Sequence, residues 1–211
     1  MMETEQHNPH HIYTVGEHTI RSMQYIRADK VLRLTMLLHD VAKPVCRTED
    51  ENGIHHFHGH PQVGAEMSRK ILRRLKFDND TIHRVMALVR AHDDRPPLQG
   101  RSVRRAIYRN GTEQYPELFE VKRADILAQS SFLQQEKLLY VDRYEHMYQQ
   151  IMEKEQCLSL KELAVNGSDL IARGIQPGKE IGEILHHMLE KVLEEPELNE
   201  KEVLLAWYFK A

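Results

Sequence analysis

The residues of this sequence that could do chemistry are histidines and aspartates near the ends of apolar segments. Histidine is abundant, at 14 of 211 residues. The doublet His39-Asp40 ends the apolar run LTMLLHDVAKP, residues 34–44, and Lys43 lies one helical turn further on. Imidazole nitrogens and carboxylate oxygens are ligands that divalent transition metals accept. The doublet is therefore a candidate metal-ligating pair, although a core helix that simply meets solvent at this point would show the same pattern.

The other candidate ligands are scattered, and each lies in or at the edge of a predicted helix. They are His18, His60, His92 and Asp125. A metal site inside a helical bundle needs such scattering, because each helix can project only one or two side chains to a given point. Adjacent residues diverge by ~100° around a helix, so the doublet can reach one ion only near a helix end, which Pro44 supplies. The two oxygens of Asp40 could then bridge two ions.

Helices are predicted for all the segments that must position these residues. Apolar residues recur at helical spacing, and the predicted helices cover residues 12–24, 29–42, 61–75, 77–92, 101–111, 115–130 and 132–155, with three more within 166–210. Residues 47–61 are predicted to be a loop that carries four histidines, and no segment has the alternating pattern of a strand. The expected fold is all-α: a helical bundle, residues 1–155, followed by a small helical tail module, residues 156–211.

The bulk composition narrows the class of protein. A net charge of −3 gives no overall basic field, so contact with a nucleic acid would need a local patch. The two cysteines, Cys46 and Cys157, are too few for a disulfide framework and are expected to be free thiols of a reducing compartment. The polar first residues differ from a signal peptide, and no apolar run approaches the ~18 residues of a membrane span. A cytoplasmic protein without a membrane partner is expected.

The ordered candidates carry a family resemblance. The phrases VGEHT with His18, LLHDVAKP with His39 and Asp40, and KRADILAQ with Asp125 resemble the HD-domain superfamily of metal-dependent phosphohydrolases. More closely, YTVGEHT, FHGHPQVGAE, LVRAHD, ADILAQ and NGSDLIARGIQPGKEIGEIL are similar to the HD and tail region of bacterial CCA-adding enzymes, the tRNA nucleotidyltransferases. The resemblance covers nearly the whole chain and implies an HD-domain helical bundle with a tail module.

One departure from those enzymes limits what this chain is expected to do. They carry a polymerase head with a Gly-Gly phosphate loop and an Asp-x-Asp metal pair, whereas this sequence has no Gly-Gly dipeptide. It does contain Asp-Asn-Asp at residues 78–80, but these residues precede an apolar periodic run and are interpreted as a helix cap. Nucleotide addition by this chain alone is therefore not expected.

The resemblance also implies a ligand set. The residues implied to bind a first ion are His18, His39, Asp40 and Asp125. Two-metal members of the superfamily place histidines where His60 and His92 stand, for a second ion shared through Asp40. From the residues alone, His60 could equally be a solvated loop histidine and His92 a helix-end histidine favoured by the helix dipole. Imidazole-rich sites favour Mn, Fe, Co, Ni or Zn over Mg, so one or two divalent transition-metal ions are the expected cofactors.

The leading functional hypothesis is hydrolysis of a phosphoester by a metal-activated water. By resemblance, the substrate would be a nucleotide, a cyclic phosphate or the end of an RNA. Asp40 and Lys43 are the predicted catalytic residues, and Lys43 and Arg47 the predicted ligands of the substrate phosphate. Basic helix faces within residues 69–76 and 101–109 could hold an RNA backbone, or could simply be solvated.

The alternative hypothesis is a non-catalytic RNA-binding module, or a partner of a separately encoded nucleotidyltransferase head. Its motivation is the tail phrase ARGIQPGKEIG, whose glycines and helix start could meet a phosphate with backbone N–H groups, or could form a plain turn. tRNA is the candidate partner in that case. A guanosine-tetraphosphate or deoxynucleotide hydrolase would share the metal site but not the tail phrase.

Overall fold

Helices form almost all of the regular structure in the computed structural model, which describes residues 2–7, 10, 12–154 and 156–210. In chain order the elements are α1 (Val15–Ser22), α2 (Lys30–Leu38), α3 (Lys43–Cys46), β1 (Thr48–Glu49), β2 (His55–His56), α4 (His60–Arg74), α5 (Asn79–Ala91), α6 (Gly100–Asn110), α7 (Tyr115–Leu127), α8 (Gln134–Glu153), α9 (Gly167–Ala172), α10 (Lys179–Glu194), a 3-10 helix (Pro196–Leu198) and α11 (Lys201–Lys210). The predicted all-α class is confirmed. Within the part of the chain that the structure describes, no helix is long and apolar enough to cross a membrane.

The chain divides into two compact units. One unit comprises residues 1–95 and 112–143, and the other comprises residues 96–111 and 144–211. The bounds of these units differ from those of the predicted domains, because α6 belongs to the same unit as the C-terminal helices and the division falls within α8. The predicted domain boundary between residues 155 and 156 stays a prediction.

The first unit is built around α2, α4, α5 and α7. Helix α4 packs against α5, and α2 lies against both α5 and α7. Leu32 and Met36 of α2, Leu88 of α5 and Phe119 of α7 are fully buried between these helices. The start of α5 is capped by Asp78, whose Oδ1 accepts a hydrogen bond of 2.8 Å from the amide of Thr81. The interpretation of residues 78–80 as a helix cap is confirmed.

Helix α2 ends earlier than predicted. The predicted helix over residues 29–42 stops at Leu38, turns through residues 39–42, and is followed by the short helix α3. Pro44 does not terminate the first helix, because it lies in the opening turn of α3, where its missing N–H has no helical partner to lose. The chain therefore bends at the His39-Asp40 doublet, which frees both side chains from a strict 100° separation.

The segment predicted to be a loop contains a small β-ribbon, so the prediction of no strand was wrong at four residues. Strands β1 and β2 pair antiparallel, with Thr48 opposite His56 and Glu49 opposite His55. The connecting turn is closed by Asp50, whose Oδ1 accepts from the amides of Asn52 and Ile54 at 2.9 and 3.0 Å. Two-residue strands made of polar residues leave no alternating apolar pattern to detect.

A glycine links the β-ribbon to α4. Gly59 has φ 75°, in the left-handed region that glycine adopts without steric cost, and it is the residue before the helix. The chain turns there so that His60 becomes the first residue of α4. A β-branched side chain at position 59 would oppose this turn and displace His60.

In the second unit, α10 is the central amphipathic helix. Ile184, Met188 and Val192 are buried on one of its faces, and α6 packs against it. Arg104 of α6 is 8% exposed and donates to the carbonyl oxygens of Leu193 at 2.7 Å and Glu194 at 2.9 Å. This guanidinium therefore satisfies carbonyl groups that the C-terminus of α10 leaves without helical partners.

Candidate metal centre

The His39-Asp40 doublet is buried at the turn that follows α2. The exposed fractions of His39 and Asp40 are 0% and 1%. The ring of His39 is held in place because its Nδ1 lies 2.7 Å from the carbonyl oxygen of Met36, in the last turn of the same helix. Such buried polar side chains need partners, and here the partners are the other predicted ligands.

Four histidines meet at this point, and all are oriented in the same way. Each Nδ1 lies 2.7–3.3 Å from a backbone carbonyl oxygen; the pairs are His18 with Ala128, His39 with Met36, His60 with Phe57, and His92 with Val89. A carbonyl oxygen only accepts, so Nδ1 carries the hydrogen of each neutral imidazole. The Nε2 lone pairs therefore face one another, which is the tautomer of metal-ligating histidines whose other nitrogen donates to a backbone carbonyl.

Asp40 lies between two histidine pairs and offers a different oxygen to each. Its Oδ2 is 3.5 Å from the Nε2 of His18 and 3.3 Å from that of His39. Its Oδ1 is 3.3 Å from the Nε2 of His60 and 3.8 Å from that of His92. In each set of three residues, the ligand atoms all lie within 4.8 Å of one another. The donor sets fit two divalent ions that share one carboxylate.

Asp125 of α7 adds a second carboxylate to one side only. Its Oδ1 is 2.9 Å from the Nε2 of His18 and 3.7 Å from that of His39. Its Oδ2 accepts a hydrogen bond of 3.0 Å from the side-chain amide of Gln129. The first unit thus brings all six predicted ligands together, and each histidine pair faces at least one carboxylate oxygen.

The electrostatics of the cluster favour a cation. Burial lowers the pKa of His39, but the carboxylates of Asp40 and Asp125 outweigh it and raise that pKa to about 10. Burial raises the pKa of the Asp40 carboxyl, but the charges of His39 and Lys43 outweigh it and hold this pKa well below its usual range. Burial and the charges of His39 and His60 lower the pKa of His92 to about 4, so this imidazole is neutral at pH 7. The two carboxylates therefore stay ionised and hold a proton on His39, a positive charge that a bound divalent cation would replace. Imidazole nitrogens and carboxylate oxygens together are the donor set that a borderline transition metal prefers.

Lys43 contacts the centre directly. Its Nζ lies 2.7 Å from Asp40 Oδ2, donates to Gln6 Oε1 at 2.6 Å, and stands 5.4 Å from the ring centroid of Phe57. Lys43 is only 5% exposed, so its charge is held against the carboxylate of Asp40. Arg47, the other predicted phosphate ligand, is exposed at the end of α3 where the chain enters β1, and it is not among the described residues that line the cavity at the centre.

That cavity has a volume of about 620 Å³. Its floor includes Asp40, His60, His92 and Asp125, and the histidine-rich segment of residues 54–61 forms one wall. Two further cations line it that the sequence did not single out, Arg95 and Lys137. Lys137 is tied to the centre through Gln129, whose Oε1 accepts from its Nζ at 2.7 Å.

Sequence reasoning missed these two cations for an identifiable reason. Arg95 lies three residues after His92, beyond the end of α5, and only this short spacing could have indicated it. Lys137 is one of many charged residues of α8, and no local pattern separates it from the solvated ones. His10 also lines the cavity.

The chain also resembles known proteins. Residues 48–208 match the family model described as "tRNA nucleotidyltransferase domain 2 putative". A CC-adding tRNA nucleotidyltransferase from Thermus thermophilus is 33% identical over 187 residues, covering 86% of this chain and 41% of the relative. An A-adding tRNA nucleotidyltransferase from Deinococcus radiodurans is 32% identical over 190 residues, covering 86% of this chain and 43% of the relative. The chain thus spans about two fifths of the length of these curated relatives.

Proposed function

The chain belongs to the tRNA nucleotidyltransferase domain 2 family, and from that premise we propose that it is an HD-type, metal-dependent phosphohydrolase with a role in tRNA metabolism. Its proposed substrate is a phosphoester of a nucleotide, a cyclic phosphate or an RNA end. One observation carries the proposal: each oxygen of Asp40 faces its own pair of histidines, with His18 and His39 on one side and His60 and His92 on the other.

Two ions of the Mn, Fe, Co, Ni or Zn group are the proposed cofactors. His18, His39 and Asp125 would hold one, His60 and His92 the other, and Asp40 both. A bound divalent ion supplies Lewis-acid polarisation of a phosphoryl oxygen and lowers the pKa of a water that it binds. Both effects accelerate phosphoester hydrolysis.

The residues around the ligands have positioning and electrostatic tasks. Lys43 fixes the carboxylate of Asp40 from a distance of 2.7 Å, which orients the residue that both ions would share. Gln129 donates to Asp125 and accepts from Lys137, so it orders a ligand and a cation together. The charges of Lys137 and Arg95 on the cavity wall favour an anionic substrate. A contact of Lys43 or Arg47 with the substrate phosphate stays a prediction.

The family supports tRNA as the larger context of the substrate, and the surface charges indicate which face is available. In α6, Arg101 and Arg105 lie 3.3 and 2.9 Å from Glu194 and Glu190 of α10, and these carboxylates neutralise much of the basic face predicted for residues 101–109. In α4, Arg73 and Arg74 are exposed. Residues 69–76 are therefore the proposed basic patch for an RNA backbone.

The test of the proposed activity combines elemental analysis with a phosphoester screen. We expect the purified protein to retain up to two transition-metal ions per chain. With Mn²⁺ added, we expect it to release phosphate from nucleotides or to open the phosphate ring of 2′,3′-cyclic nucleotides. Asp40→Asn should abolish turnover, whereas His83→Ala, an exposed histidine on the same helix as Val89 and outside the centre, should not. Equal turnover of Asp40→Asn and His83→Ala would overturn the proposal.

The second candidate function is a non-catalytic tRNA-binding module, or a partner of a nucleotidyltransferase head. It is favoured by the comparison itself, because the matched relatives are nucleotidyltransferases that are more than twice as long as the matched region. A filter-binding assay with tRNA, run beside the phosphoester screen, separates the two candidates. Tight tRNA binding with no metal-dependent hydrolysis of any tested phosphoester would favour the binding module. A cytoplasmic location stays a prediction in both cases.

A further inference from the structure

A second cavity of about 270 Å³ adjoins the metal centre. It shares His10, His92, Arg95, Asp125 and Lys137 with the larger cavity, so the two spaces meet at the ligand His92 and the ligand Asp125. The remaining lining residues come from α7, α8 and the turn between them: Lys122, Ile126, Leu133, Glu136, Tyr140 and Val141. A group bound in this cavity would therefore be next to whatever is bound at the centre.

The walls of the cavity are mainly apolar. Ile126 and Val141 are 5% and 1% exposed and form its inner surface, and the half-buried ring of Tyr140 lies beside them. Ligand-binding cavities combine such apolar walls with a few polar groups and start at ~300 Å³. This cavity is at that lower limit, so it has room for one nucleoside-sized group and not for a stretch of RNA.

Leu133 forms part of the wall in an unusual conformation. Its φ is 53°, in the left-handed region that a leucine rarely adopts, and its side chain is 43% exposed although it is apolar. Strained residues of this kind concentrate at ligand-binding and catalytic sites, where the surrounding structure holds them. This backbone conformation favours glycine or asparagine, yet the residue here is a leucine, which lines the cavity with an apolar side chain.

The polar groups are distributed so as to suit a nucleotide. Lys137 and Arg95 stand where the two cavities meet, which is where a phosphate between the centre and the second cavity would lie. Lys122 has a different task, because its Nζ already donates to the carbonyl oxygens of Ala91, His92 and Asp94 at 3.2, 2.8 and 2.6 Å. Glu136 contributes a carboxylate that could accept from ribose hydroxyls or a base amino group.

We infer that this second cavity binds the nucleoside portion of a phosphoester whose phosphate lies at the metal centre. The inference rests on the proposed function for the position of the phosphate, and it names the substrate class as nucleoside phosphates rather than sugar or polyol phosphates. The base contacts the apolar walls around Leu133 and Tyr140, while Arg95 and Lys137 hold the phosphate between the cavities. Recognition of the base is then by shape and apolar contact, with Glu136 as a polar partner.

The direct test measures nucleoside binding without metal or turnover. Adenosine and ribose are titrated calorimetrically into the chelator-treated protein, because they differ only in the base. We expect adenosine to bind at least about tenfold more tightly than ribose, since apolar surface of the base is removed from water. Equal affinities, or binding of neither compound in the millimolar range, would overturn the inference.

A matched pair of variants locates the binding. Leu133→Ala removes apolar side-chain surface from the wall and keeps the same backbone requirement, since alanine and leucine are similarly unfavourable at φ 53°. Leu139→Ala makes the same change on α8 at a residue that is 49% exposed and outside the cavity. We expect Leu133→Ala to weaken adenosine binding about three- to tenfold and Leu139→Ala to leave it unchanged. Equal effects of the two variants would contradict the inference.

Turnover provides the second comparison, in which AMP and ribose 5-phosphate are substrates of the Mn²⁺-supplemented protein. We expect a higher kcat/KM for AMP than for ribose 5-phosphate because its KM is lower. We expect Leu133→Ala to lose this preference. Hydrolysis of both substrates with the same KM would overturn the inference while leaving the proposed hydrolase intact. Adenosine binding without any metal-dependent hydrolysis would do the reverse: it would support the cavity assignment while the proposed function fails.

Discussion

Replacing Asp40 by Asn tests the arrangement of the centre more sharply than removing any histidine. The substitution keeps the shape of the side chain but removes its charge and turns one oxygen into a donor. Because Oδ2 faces His18 and His39 while Oδ1 faces His60 and His92, one donor set loses its oxygen and the other keeps only an uncharged amide oxygen. Asp125→Asn is the matched variant, since of the four histidines its carboxylate lies close to His18 and His39, on one side of the centre.

The expected magnitude follows from the role of each carboxylate. Loss of an outer hydrogen-bond partner of a ligand typically costs 10–100-fold in metal affinity, so loss of a ligand itself should cost at least ~100-fold, or about 2.7 kcal/mol. Asp40→Asn should weaken the binding of both ions by at least that factor. Asp125→Asn should weaken one ion and leave the second within a few-fold of its original affinity.

The assay is a competition titration with Mn²⁺ and a chelator, followed by thermal unfolding. An ion present at 100 times its Kd stabilises the fold by ~2.7 kcal/mol, which corresponds to about 5–10 °C in Tm for a chain of this size. The original protein should show this increase on adding Mn²⁺, and Asp40→Asn should not. Unchanged stoichiometry and affinity in Asp40→Asn, or equal weakening of both ions in Asp125→Asn, would refute the assignment of Asp40 as the shared ligand.

Three further predictions concern the elements that support the centre and the second unit. Asp29 caps α2 by accepting from the amides of Val31 and Leu32, so Asp29→Ala should cost ~1 kcal/mol in urea unfolding, whereas Asp29→Asn should cost little. These hydrogen bonds lower the pKa of Asp29 despite some desolvation. The ionised carboxylate therefore contributes to the free energy of unfolding above the ordinary pKa of 3.8, and this contribution is lost as the pH falls through the lower pKa of the folded state. Unfolding curves at a series of pH values should show that Asp29→Asn removes this part of the acid sensitivity. Arg104→Ala should cost ~2 kcal/mol in thermal unfolding, because two carbonyl groups at the end of α10 lose a charged donor, and an equal Tm would contradict that role.

The helical class and most helix positions could be predicted from sequence because their signals are local. The apolar periodicity of residues 61–75 and 77–92 corresponds to α4 (His60–Arg74) and α5 (Asn79–Ala91), within one or two residues at most ends. The candidate ligands could be identified because their order matched a known pattern, and the first unit brings all six together. Their roles as ligands stay predictions.

Features that depend on long-range contacts could not be predicted in this way. The turn at His39 and Asp40 has no local signal, because the apolar periodicity of the run continues past it, and it appears only where α2 packs against α5 and α7. The grouping of α6 with α10 depends on Arg104 reaching carbonyl groups 89 and 90 residues away, which no local pattern encodes. Arg95 and Lys137 are 42 positions apart in the sequence, so only the fold reveals that both line the cavity.

Anomalous diffraction from crystals soaked in Mn²⁺ tests the two-ion centre most directly. The predicted result is two anomalous peaks, one between His18, His39 and Asp125 and the other between His60 and His92, with the carboxylate of Asp40 bound to both. A soaked crystal without a peak at these residues, or with Asp40 bound to neither ion, would contradict the assignment of this histidine and aspartate cluster as a metal centre.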